Sequence, residues 1–178
     1  MGDLKVLIDE QTLQNRIREI AKQIEAEYKG KTITIICILK GSVFFTVDLA
    51  KAIDGDVRVE FIRVSSYGGD TVSSGEIKMK LDLKDSINGK DVIVVEDIVD
   101  TGRTLSYLME YLKLKQPNSL KICTLLDKKE RRVCEVEPDF VGFEIPDEFV
   151  VGFGLDYDEK YRNLPYIGIL SPSVYGGE

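Results

Sequence analysis

The chain has 178 residues, with 24 basic and 31 acidic side chains and a formal net charge of −7. That is length for one domain with a core of its own, and an acidic balance that opposes non-specific nucleic-acid binding, which needs clustered Lys and Arg. Hydrophobic residues at 43% and charged residues at 31% exclude a disordered chain, and the absence of His excludes H-E-x-x-H metal sites, zinc fingers and Ser-His-Asp triads.

From the N-terminus, Asp9 is placed to cap a helix in which Leu13, Ile17, Ile20, Ala21, Ile24 and Tyr28 recur at three- and four-residue steps until Gly30. Thr32 to Leu39 is β-branched and almost wholly apolar, the pattern of a strand buried on both faces. A Lys40-Gly41-Ser42 turn then leads into a helix carrying Val43, Phe44, Val47, Leu49 and Ala50. Val57 to Val64 is a second strand. Ser65 to Gly75 has little to bury and reads either as a solvated loop or as a lid. Lys78 to Leu83 alternates as a half-exposed strand, and Asn88-Gly89 makes a turn. Val92 to Val95 is a short buried strand ending at Glu96-Asp97, and a helix with Leu105, Leu108, Met109, Tyr111 and Leu112 opens at Gly102-Arg103-Thr104. Leu120 to Leu126 is buried again and ends at Asp127-Lys128-Lys129. Phe140–Phe143, Phe149–Phe153 and Tyr166–Leu170 are short strands.

This alternation predicts an α/β domain with a central, mostly parallel sheet flanked by helices. Residues 1–178 form a single domain, with a core over roughly 30–145 and a small hood built from the N-terminal segment and roughly 146–178. Cys37, Cys123 and Cys134 have no C-x-x-C spacing and read as reduced cysteines of a cytoplasmic protein. No apolar leader and no membrane-length apolar run is expected.

Ligands of open parallel sheets bind at the carboxyl ends of the strands. The sharpest signal there is Glu96-Asp97-Ile98-Val99-Asp100-Thr101-Gly102-Arg103-Thr104. The first amides of the following helix lack intrahelical partners, and with the hydroxyls of Thr101 and Thr104 they would cradle a phosphate dianion. Glu96 and Asp97 cannot bind phosphate, but suit a sugar diol or a divalent cation. Together they imply a sugar phosphate. No P-loop is present, and Gly152-x-Gly154 lacks the third glycine of a dinucleotide fingerprint.

The same segment resembles the phosphoribosyl-pyrophosphate motif of type I phosphoribosyltransferases. Leu39-Lys40-Gly41-Ser42 is similar to their pyrophosphate loop, and Ser66-Tyr67 falls where they carry a flexible lid. Pro138 to Asp147, Phe149 to Gly152, Leu155-Asp156-Tyr157 and Tyr161 to Leu164 resemble the hypoxanthine-guanine branch. The resemblance implies Mg²⁺-dependent transfer of a phosphoribosyl group to a 6-oxopurine, hypoxanthine or guanine, with release of pyrophosphate. It places the 5′-phosphate on Asp100, Thr101, Gly102, Arg103 and Thr104, and the ribose hydroxyls and a magnesium on Glu96 and Asp97. Asp100 would be general base or acid at purine N7. Lys128 would donate to O6, Phe149 would stack on the base, and the Val150 backbone would meet its far edge. Asp156 would bind a second magnesium, and Arg162 with Lys40 and Gly41 would hold pyrophosphate. The Leu39–Lys40 peptide is often cis in that family, whose members are commonly dimers or tetramers. Arg103 stands where family members vary, without consequence for a contact made by backbone.

Taken alone, several of these residues read more blandly. Phe149 would be a core residue, Lys128 part of a solvated charge run, and Asp156 and Arg162 a surface pair. Three rivals share the pattern. They are a xanthine-selective relative, a nucleotide-sensing regulator that binds nucleic acid, and a non-enzymatic interaction module. The net charge and the lack of a basic stripe oppose the second. The partners expected are small-molecule substrates and further copies of the chain, with no nucleic acid and no membrane.

Overall fold

The computed structural model describes residues 4–66 and 77–176. Its elements are β1 (Leu4–Ile8), α1 (Glu10–Glu27), β2 (Ile33–Ile38), α2 (Val43–Ala52), β3 (Val57–Ser66), β4 (Ile77–Leu81), β5 (Asp91–Val99), α3 (Arg103–Lys113), β6 (Ser119–Asp127), β7 (Phe140–Glu144), β8 (Val150–Val151), β9 (Ile167–Leu170) and α4 (Pro172–Tyr175).

Six strands form one sheet in the order β4-β3-β2-β5-β6-β7, parallel throughout except for the β3–β4 pair. All six residues of β2 are buried, which requires cover on both faces. One cover is α1 with α2. Asp9 caps α1, accepting the Thr12 amide at 2.7 Å, and Leu13, Ile17, Ile20, Ala21 and Ile24 pack on the sheet. The other is α3, whose Leu105, Leu108 and Leu112 are buried at helical spacing, each stabilising the fold by about 1.5–3 kcal/mol. A second sheet, β1-β9-β8, joins the two ends of the chain in antiparallel pairs.

Four features differ from the sequence reading. β5 does not end at Val95 but runs to Val99, because β6 pairs with it as far as Val99 and Asp127 while β2 stops at Cys37 and Val95. The expected strand Phe149–Phe153 shrinks to Val150–Val151, because Gly152, Phe153 and Gly154 all take positive φ. The N-terminal residues form β1, whose short LKVLI run is legible only through its partner β9. The short helix α4, capped by Ser171, is four residues long and buries none of them, so it leaves no period in the sequence. Ser65 and Ser66 close β3, and the rest of the expected lid, Tyr67 included, lies outside the described residues. Cys37 and Cys123 are buried, Cys134 is half-buried, and all three are free thiols. Among the described residues no helix is long and apolar enough to cross a membrane.

Candidate active site

The carboxyl ends of β2, β5 and β6 lie side by side, and the turns after them carry the predicted residues. Beyond Val95, β5 has lost its β2 neighbour, and its carboxylates fold back on the free amides. Glu96 Oε1 accepts the Asp97 amide at 2.9 Å, and Asp97 Oδ1 accepts that of Ile98 at 2.7 Å. Desolvation pushes the Glu96 carboxyl well above the ordinary carboxylate range, with the adjacent charge of Asp97 adding to it. Desolvation also raises Asp97, against the hydrogen bonds it accepts and the charge of Arg162. Two acids that resist ionising together suit a ligand that supplies positive charge or hydroxyl donors.

Asp100 to Thr104 forms the turn into α3, and with Glu96 to Val99 and Leu105 it lines a cavity of about 170 Å³. Gly102, at the helix N-cap, has φ +84 and offers no side-chain cap. Among the described residues, the amides of Thr101, Gly102, Thr104 and Leu105 find no acceptor, while that of Arg103 has only a 3.4 Å contact to Thr101 Oγ1. Successive amides around a left-handed residue make an anion-binding concavity. A much larger concavity, about 670 Å³, lies between Lys29–Ile33 and Ile53–Asp56, at the opposite ends of the strands and away from these groups.

After β2, the Leu39–Lys40 peptide is cis. The turn then passes so close to β5 that a Cβ on Gly41 would lie 2.8 Å from Asp97 Cγ, and closer still to Oδ2. From the other side, Gly154 packs against the Gly41 carbonyl, which a Cβ there would overlap. Of the two glycines of Gly152-x-Gly154, the second therefore serves this close approach, while the first packs against the Tyr166 carbonyl. The segment after them takes positive φ again at Asp158, Glu159 and Tyr161, and so brings Asp156, Glu159 and Arg162 together. Arg162 lies 3.1 Å from Asp156 and 2.9 Å from Glu159, and donates to the Gly154 carbonyl at 2.8 Å. Glu159 also holds Lys40 at 2.8 Å, so Lys40 and Arg162 converge on one carboxylate, whose pKa they lower.

The purine-directed residues follow β6. Lys128 is not a solvated charge: it is 8% exposed, its amide donates to the Val99 carbonyl, and its ammonium lies 3.7 Å from Asp147. The parallel register of β5 and β6 therefore sets Lys128 beside Asp100. Arg131 joins them, 2.9 Å from Asp100 and 3.5 Å from Asp147. Phe149 is not a core residue. It is 37% exposed, stacked on Tyr175 at 4.7 Å and edge-on to Tyr157 at 5.8 Å. Val150 is buried on β8, which pairs with β9 and, among the described residues, has no strand on its other edge. Ser66 ends β3.

The sequence assigns no role to Arg131, Asp147, Tyr157, Glu159 or Tyr175. They lie in charged or turn-rich stretches, and only their contacts single them out. The residue types fit a magnesium ion. Glu96, Asp97 and Asp156 offer hard oxygen donors; burial raises the pKa of the first two, and the charge of Asp97 raises Glu96 further. Among the described residues no three metal-liganding side chains are gathered, so such an ion would take its remaining oxygens from phosphate and water.

Residues 7–158 match the phosphoribosyl transferase domain family. The chain is 50% identical over 171 residues to the hypoxanthine-guanine phosphoribosyltransferase of Bacillus subtilis, covering 96% of this chain and 95% of that protein. It is 53% identical over 171 residues to the bifunctional protein TilS/HprT of Listeria monocytogenes, where it spans 26% of the relative's length. A crystal structure of a hypoxanthine phosphoribosyltransferase from Staphylococcus aureus superposes with a TM-score of 0.95 at 50% identity, covering 99% of this chain and 96% of that one.

Proposed function

The chain belongs to the phosphoribosyl transferase domain family, and from that premise we propose that it is a purine-salvage enzyme. It transfers the 5-phosphoribosyl group of phosphoribosyl pyrophosphate to N9 of hypoxanthine or guanine, giving the nucleoside monophosphate and pyrophosphate. The observation that carries this reading is the β5–β6 register. It sets a buried ammonium, Lys128, beside an acid, Asp100, at the mouth of an amide-lined turn.

The roles follow from the chemistry. Displacing pyrophosphate from the anomeric carbon builds positive charge on the ribose, so the leaving group needs cationic partners, and Lys40 and Arg162 would supply them. The free amides from Thr101 to Leu105, with the hydroxyls of Thr101 and Thr104, would hold the 5′-phosphate. Glu96 and Asp97 would accept hydrogen bonds from the ribose hydroxyls. Magnesium, held by Glu96 and Asp97 and by Asp156, would neutralise the pyrophosphate oxygens. Asp100 would take or return a proton at N7. Lys128 can donate to a carbonyl at C6 but cannot accept from an amino group there, which favours 6-oxopurines over adenine. Phe149 would stack on the base, with the Val150 backbone at its far edge. The lid segment Ser66-Tyr67 would exclude water from the charged transition state.

The reading carries with it a cytoplasmic enzyme that assembles as a homodimer or homotetramer and has no nucleic-acid or membrane partner. The names of the relatives support hypoxanthine and guanine, and give no support to the xanthine-selective or nucleic-acid-binding alternatives. The test is to mix the protein with Mg²⁺, phosphoribosyl pyrophosphate and each of hypoxanthine, guanine, xanthine and adenine. Formation of inosine and guanosine monophosphates, with little adenosine monophosphate, is expected. No nucleotide product, or adenine used as well as hypoxanthine, would overturn the reading.

A further inference from the structure

One buried ion pair lies behind the candidate phosphate turn and is not accounted for by the roles above. Asp127, the last residue of β6, has no exposed surface, and its backbone is tied to both neighbouring strands. Its carbonyl accepts the Ile145 amide, and the next amide, that of Lys128, donates to Val99. One carboxylate oxygen is ion-paired with Arg132, and the other has no partner among the described residues. The Arg132 side chain is 10% exposed. From that position it donates through Nε to the Asp100 carbonyl at 3.3 Å and through Nη1 to the Val136 carbonyl. Its Cδ lies directly beneath Gly102, 2.9 Å from where a Cβ would stand. The next residue adds a second anchor, the Val133 amide donating to the Thr101 carbonyl at 2.9 Å.

In a trans peptide the carbonyl of one residue and the amide of the next point in opposite directions. Pinning the Asp100 and Thr101 carbonyls to Arg132 and Val133 therefore throws the Thr101 and Gly102 amides the other way, toward the cavity. Ser106, donating to the Gly102 carbonyl at 2.8 Å, does the same for the Arg103 amide. Three successive amides are thus aimed by what holds the carbonyls behind them. A buried ion pair is a costly way to stabilise a fold, and an apolar pair of the same volume is often as good. Only a guanidinium can donate to a carboxylate and two carbonyls at once from one rigid plane.

We propose that Arg132, clamped by Asp127, is the positioning residue that aims the phosphate-binding amides, so that the pair governs affinity for the 5′-phosphate and not for the nucleoside. This rests on the phosphoribosyltransferase reading. The experiment measures equilibrium affinities of wild type, Arg132→Lys and Asp127→Asn for inosine monophosphate and for inosine, with a thermal melt of each. Lysine keeps the stem and the charge but cannot reach all three acceptors. We expect Arg132→Lys to weaken the monophosphate by about tenfold to a hundredfold, the range for hydrogen bonds to a charged group, and to leave inosine within about twofold of wild type. The ratio of the two affinities is insensitive to a general loss of stability, which lowers both alike. Asp127→Asn keeps one acceptor for Arg132 and should lower the ratio less, in the same direction, and it carries the test if the lysine variant does not fold. A wild type that strongly prefers the monophosphate, with a ratio unchanged in the variants, overturns this inference alone. A wild type that binds both ligands equally overturns the enzymatic reading and this inference with it.

Discussion

Replacing Gly41 by Ala tests the contact that the tertiary structure builds between the turn after β2 and the acid pair on β5. The new methyl would lie 2.8 Å from Asp97 Cγ and still nearer to Oδ2, so the carboxylate must retreat by roughly an ångström, a misplacement that costs about 10²-fold in rate when it falls on a positioned group. Retreat also breaks the 2.7 Å bond to the Ile98 amide, worth about 1 kcal/mol of stability. In a chain of this length that lowers Tm by about 2–4 °C. Gly41 lies beyond β2, so the sheet itself is undisturbed. The expected outcome is a split: kcat/KM for phosphoribosyl pyrophosphate falls by about 10² while the melt shifts by only a few degrees. Steady-state kinetics with phosphoribosyl pyrophosphate varied, beside a thermal melt, measure both. A kcat/KM within about threefold of wild type would refute the reasoning, since Asp97 would then not be needed where it stands.

Three further outcomes are expected. Asp100→Asn should slow turnover by about 10²-fold or less, the lower end of general acid–base effects, with little change in KM for phosphoribosyl pyrophosphate; unchanged turnover removes Asp100 from the chemistry. Lys128→Ala should weaken base binding and relax the preference for hypoxanthine over adenine, and intact discrimination in a competition assay would acquit Lys128 as the O6 reader. The third concerns pH. Because burial and Asp97 raise Glu96 above its ordinary value of 4.5, its contribution to stability is fully present below that value. It is lost as pH rises through the folded pKa. Glu96→Gln should therefore melt higher than wild type at neutral pH without Mg²⁺, the gap closing toward pH 4.5, while turnover falls. The difference between the two proteins cancels the opposite contributions of Asp82 and Asp91, whose carboxyls are depressed. A gap that does not change with pH would count against a strained acid pair.

The alternation of strands and helices was legible in the amino-acid order, because burial on one stripe or both faces leaves a period that local reading recovers. The stripe Leu13, Ile17, Ile20, Ile24 and the unbroken apolar run of β2 are such signals. The same order also marked which turns bear polar chemistry, since Glu96-Asp97 and Asp100 to Thr104 depart abruptly from the apolar pattern around them. Tertiary structure alone decided the rest. β1 and the two-residue β8 exist only through β9, and pairing between segments far apart in the chain leaves no local period. Lys128, Arg131 and Arg132 belong to one charge run and are alike in sequence, yet one is buried beside Asp147, one is exposed on Asp100, and one is sealed beneath Gly102. A charge run records that charges are present. Which of them loses its water depends on the segments that fold over it, here the strand end at Asp127 and the turn at Asp100 to Gly102, and desolvation is what turns a surface charge into a directional one.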